Sequence, residues 1–154
     1  MKAKAYLKQI EYMDAKINTR LEEVEKLNTL ATKTTSVMGG ERVQASSNQQ
    51  KMADCVTRIA DLKAEINREI DRFVNHKQET LNIMDKHCDP DCINLLYARY
   101  FQYKSWETIA HELRYTYKWV SGGLHQRALA QVQKGLDERK VAQNAEIDNI
   151  QSCP

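Results

Sequence analysis

Glycine and proline interrupt this 154-residue chain at seven positions only: Gly39, Gly40, Pro90, Gly122, Gly123, Gly135 and Pro154. Both residue types weaken or end a helix, glycine through backbone entropy and proline through its missing N–H, so the stretches between these marks are free to run as uninterrupted helix. No stretch alternates apolar and polar residues over a useful length, and β-branched clusters are short, so strands are not expected. The pattern predicts an all-α protein.

Ala3, Ile10, Ile17, Val24 and Ala31 recur every seven residues, and Tyr6, Met13 and Leu27 fill the second apolar position of the same heptad, as in a coiled-coil seam. Arg20 occupies one slot, and Leu21 beside it is expected to carry the apolar stripe onward. A thirty-residue helix reaches roughly 45 Å, too long to stand without a partner along its length. Met52, Val56, Ile59, Leu62, Ile66, Ile70, Phe73, Leu81 and Met84 supply one at three- and four-residue steps. Helices are expected at about 3–36 and 48–87, with a flexible joint at 37–47 around Gly39-Gly40 that lets the second fold back on the first. The expected arm, residues 1–89, is a long antiparallel coiled-coil hairpin that also pairs with a second copy, a dimer being favoured.

Charge is distributed unevenly. Residues 1–92 carry fifteen basic and fifteen acidic side chains, whereas residues 93–136 carry six basic against two acidic, a local excess that favours a polyanionic partner. No apolar core of signal-peptide length follows the N-terminus, since Lys2, Lys4, Lys8, Glu11, Asp14 and Lys16 break it, so a cytoplasmic protein with no membrane contact is expected. Four cysteines, Cys55, Cys88, Cys92 and Cys153, are too few for a disulfide framework and read as reduced thiols. Cys88 and Cys92 have only His87 adjacent and no second pair nearby in sequence, so no metal and no cofactor are expected. No phosphate loop and no nucleophile with a plausible base are present, so the chain is not read as an enzyme.

Pro90 disfavours helical geometry at Asp89 and suits the first turn of a following helix, so a new domain is expected over 90–136, with a polar tail at 137–154. A helix over Ile93 to Tyr103 comes first. Ser105 then looks like the cap of a helix over Trp106 to Leu113, whose Trp106, Ile109, Ala110 and Leu113 form one buried stripe. Thr116 looks like a second cap, opening a helix with Val120, Leu124, Ala128, Val132 and Leu136 at four-residue steps. Helix, three-residue turn, helix is the helix-turn-helix pattern, in which the second helix enters the major groove and shows its first side chains to base edges.

The run Lys104-Ser105-Trp106-Glu107-Thr108-Ile109-Ala110-His111-Glu112-Leu113, followed by Tyr115-Thr116, Leu124-His125 and Ala128-Leu129, resembles the region-4 helix-turn-helix of bacterial sigma factors. It resembles more closely a group of small phage and prophage proteins of Gram-positive bacteria with a two-helix coiled-coil arm before the module. Ile59-Ala60-Asp61-Leu62 through Glu65-Ile66-Asn67-Arg68-Glu69-Ile70-Asp71 is similar to theirs, and the likeness covers most of residues 35–136. Arg114 stands where that pattern often has glycine or asparagine, and Ser121-Gly122-Gly123 is one residue longer than its usual count.

The resemblance implies DNA binding in phage transcription control, without fixing a target. The expected reading is a sequence-specific, double-stranded-DNA-binding regulator. Lys104, Arg114 and Arg127 would hold phosphates; Thr116 would open the recognition helix; Tyr117, Lys118, Ser121 and Gly122 would face bases. Trp119 would pack on the DNA or cover the core. RNA polymerase or another phage protein would be met through the arm. Two alternatives share these features: a DNA-packaging initiator similar to a small terminase subunit, and a coiled-coil adaptor that binds no DNA.

Overall fold

A computed structural model of the chain describes residues 1–36 and 45–151, so Gly39-Gly40 with the rest of 37–44, and Cys153, lie outside the described residues, while 45–47 of the expected joint are already helical. Among these residues every regular element is a helix: α1 Ala3–Ser36, α2 Ala45–His87, α3 Pro90–Leu96, α4 Trp106–Leu113 and α5 His125–Gln151. Two wider π-type turns join the series, Tyr97–Phe101 after α3 and Trp119–Leu124 before α5. None of the described helices is long and apolar enough to cross a membrane. By packing, the chain forms two compact units, Met13–Val74 and Met1–Tyr12 together with Asn75 onward.

In the unit Met13–Val74, Ile17 and Val24 of α1 pack with Ile59, Leu62 and Ile66 of α2, with Leu27 and Phe73 partly buried against them. Burying side chains of this size stabilises by about 1.5–3 kcal/mol each. Lys16 pairs with Glu69 at 2.7 Å, Arg20 with Glu65 and with Glu69, and Arg58 with Glu23 at 3.3 Å. Numbers rise on one helix as they fall on the other, so these segments run antiparallel. Leu21 departs from expectation: it is 47 % exposed, and Arg20 faces α2 instead. The Arg20 side chain is long enough to cover the apolar seam with its stem while its guanidinium reaches two carboxylates. Val56 and Ile70, expected on the inner stripe, are exposed as well.

In the other unit, Leu7 and Ile10 of α1, Met84 of α2, Leu95 and Leu96 of α3 and Ile109 of α4 are fully buried. Val120, Leu124, Ala128, Val132 and Leu136 are buried along one face, as their four-residue spacing predicts. Gly135 sits at a close crossing, since a Cβ there would lie 2.7 Å from both His87 Cδ2 and Ile83 Cγ2. Among the described residues three polar side chains are buried with partners: His76 Nε2 hydrogen-bonds the Tyr6 carbonyl at 3.1 Å, the Thr80 hydroxyl donates to the His76 carbonyl at 2.7 Å, and His125 Nε2 hydrogen-bonds the Tyr100 hydroxyl at 3.0 Å. The chain does not stop being helical at Leu136, and residues 137–147 of α5 are almost entirely exposed.

Candidate functional site

Two capped starts and one left-handed turn build the candidate edge. Ser105 accepts from the Thr108 amide at 3.2 Å and caps α4, as read from the sequence. The helix ends at Arg114, whose φ of 57° and ψ of 38° are left-handed. The Arg114 amide donates to His111 and the Tyr115 amide to Ala110, the paired bonds of a Schellman ending that usually takes glycine. Thr116 then accepts from the Trp119 amide at 3.3 Å, and the chain is helical again from Tyr117.

Ser121, Gly122 and Gly123 all fall inside the π-type turn Trp119–Leu124. A π-turn closes on i→i+5 bonds and takes up one residue more than an α-turn, so the helix is widened here without breaking. Ser121 Oγ donates to the Tyr117 carbonyl at 2.8 Å. Nothing lies within 4 Å of a Cβ placed on Gly122, whereas one on Gly123 would meet the Trp119 ring, 2.6 Å from its Cε3.

Every residue from Arg114 to Trp119 is exposed, Tyr117 by 50 % and Trp119 by 45 %. Trp119 therefore lies over its own helix and edges a cleft rather than filling the core. Arg114 and Lys118 make no ion pair among the described residues. Lys104 and Arg127 do: Lys104 Nζ lies 2.7 Å from Glu112 Oε1, and Arg127 binds Asp89. Exposed pairs of this kind are worth roughly 0–1 kcal/mol and exchange readily for another anion.

Beside Trp119 opens a cleft of about 380 Å³, lined also by Tyr115, Asp89, Asp91 and Arg127. Tyr115 donates to Asp91 at 2.9 Å, which holds its phenol above the usual range. Gln131 donates to Asp89 at 2.8 Å and, with Arg127, keeps that carboxyl below its usual range. Cys88 and Cys92 stand next to this cleft; burial pushes the Cys88 thiol up to about 11, so it stays protonated and unreactive. No group of three or more metal-ligating side chains occurs among the described residues.

On the other flank of the π-turn lies a smaller pocket of about 250 Å³, which sequence reasoning missed because it gathers residues from distant positions. Arg99 stacks over Trp106 at 4.6 Å and donates to the Lys104 carbonyl at 2.8 Å. His125, on the pocket wall, is buried, lies edge-on to Trp106 at 4.7 Å and hydrogen-bonds the Tyr100 hydroxyl at 3.0 Å. Burial, reinforced by Lys4 and Arg99, lowers its pKa to about 4. Lys4, Lys8, Glu11 and Ser121 complete the pocket.

No protein-family model matches the chain, and no curated protein or solved structure matches it either.

Proposed function

We propose that the chain is a sigma region-4-like transcription regulator of phage or prophage origin, which binds duplex DNA in the cytoplasm. In this reading α4, the turn at Arg114 and the helix opened by Thr116 form a helix-turn-helix, carried on an antiparallel coiled-coil hairpin that pairs with a second copy. The hairpin is also where RNA polymerase or another phage protein docks.

The supporting observation is the unobstructed run from Arg114 to Trp119. Arg114 holds a left-handed conformation that disfavours a side chain by about 1 kcal/mol, yet it makes no ion pair among the described residues. A cation kept at a strained, exposed corner beside Lys118 is suited to phosphate, and the backbone contact sets the register for Tyr117, Lys118, Ser121 and Gly122 over the bases. Lys104 and Arg127 act only by exchanging their carboxylate partners for phosphate. Trp119 packs against the sugar-phosphate wall rather than the core.

Titration of the full chain with duplex at two salt concentrations tests this. Lys118→Ala should weaken binding and lower the slope of log affinity against log salt by about one unit, with the fold intact. Unchanged affinity at both salts removes Lys118 from the interface. A wild-type chain with no salt-dependent binding leaves the adaptor reading.

A further inference from the structure

The pocket beside Ser121 collects three cations from two separated stretches of sequence, Lys4 and Lys8 from α1 and Arg99 from the turn after α3, against one acid, Glu11. Lys4 and Lys8 are four residues apart on one helix face, where like charges repel. Neither has an ion pair among the described residues. Their repulsion is therefore relieved only in part, by Glu11. Arg99 is held in place by its stack on Trp106 and its bond to the Lys104 carbonyl, so its charge is already oriented. The pKa of His125 on the pocket wall is lowered mainly by burial, with the charges of Lys4 and Arg99 adding to it.

From this arrangement we infer that the pocket of Lys4, Lys8 and Arg99 is a binding site for a phosphate group. An anion there meets two ammonium groups and the guanidinium N–H groups that Arg99 does not give to the Lys104 carbonyl; the Ser121 hydroxyl on the rim is spent on the Tyr117 carbonyl and adds no donor. Such a compact, dispersed set of donors matches the several oxygens of a phosphate better than the two coplanar oxygens of a carboxylate. Ser121 belongs to the same π-turn as the edge proposed to face bases. Resting on that reading, the phosphate is a diester of the duplex backbone, and the start of α1 becomes part of the DNA interface. A free phosphorylated small molecule offers the same chemistry.

The experiment uses the full chain, Lys4→Gln/Lys8→Gln and Glu11→Gln, each checked for unchanged circular dichroism. Two probes are titrated: duplex DNA at several salt concentrations, and inorganic phosphate followed through the Trp106 indole NMR signal. For a backbone phosphate, the double variant lowers the salt slope by about one to two units. Glu11→Gln, which removes the one acid among the described residues lining the pocket, tightens binding two- to three-fold, a gain that misfolding cannot imitate. If the wild type binds no duplex but inorganic phosphate moves the Trp106 signal, and the double variant abolishes that shift, the pocket stands with a small-molecule ligand and the duplex reading falls. If duplex binds with the same slope in all three proteins, or nothing binds and phosphate leaves Trp106 unmoved, the inference is overturned.

Discussion

The Tyr115 amide donates to the Ala110 carbonyl at 3.0 Å, spanning a turn whose bend is made by Arg114 at a φ of 57°. Any residue with a Cβ is disfavoured at that bend, and glycine is not. Arg114→Gly should therefore stabilise the fold by about 1 kcal/mol, read as a raised urea midpoint, while weakening duplex binding. A variant that gains stability and keeps full affinity would show that the arginine has no part in binding.

Gly122 and Gly123 are neighbours with opposite surroundings. Gly122→Ala meets open space and should gain up to about 1 kcal/mol from helix propensity. Gly123→Ala forces the Trp119 ring away, and that ring is exposed enough to move, so the expected result is a shifted tryptophan emission with little loss of stability. Gly135→Ala has no such escape. His87 and Ile83 are packed beside it, and the cost should be about 1–3 kcal/mol. Thermal melts of the three variants give the ranking; equal melting temperatures would contradict it.

His125 makes stability depend on pH. Its folded pKa of about 4 lies below the ordinary 6.5, because burial, aided by Lys4 and Arg99, keeps the ring neutral. Between those values the unfolded chain takes up a proton that the folded chain refuses, so stability is full above pH 6.5 and falls as pH drops towards 4. The loss approaches ~1.4 kcal/mol per pH unit, about 2 kcal/mol by pH 5. Asp89 and Glu65, whose pKa values are lowered by their partners, lose their contributions only at more acidic pH. Urea melts at pH 7 and pH 5 should show a large drop for the wild type and a small one for His125→Gln. Parallel drops would remove His125 from the account.

Much of the fold follows from local pattern. The cap at Ser105, the bounds of α4, the buried stripe from Val120 to Leu136 and the seam of Ile10, Ile17 and Val24 all rest on side-chain spacing and hydrogen bonding within a few residues. What sequence hides is longer in range or off the 3.6-residue period. Arg20 and Leu21 are both tolerable on the seam, and only Glu65 and Glu69 across the helix pair decide that Arg20 turns inward. Asp89 claims Arg127 from 38 residues away, so a cation that looks free in the sequence is occupied. Lys4 and Lys8 meet Arg99 across some ninety positions of sequence, and no spacing rule could place them there.

Selection of bound duplexes from a random pool, with the wild-type chain and Lys118→Ala side by side, bears most directly on the claim that the Arg114–Trp119 edge reads DNA. The account predicts one enriched motif for the wild type, bound with strong salt dependence, and loss or relaxation of that motif for the variant. No enrichment by the wild type, or an identical motif recovered with identical affinity by both, would contradict it.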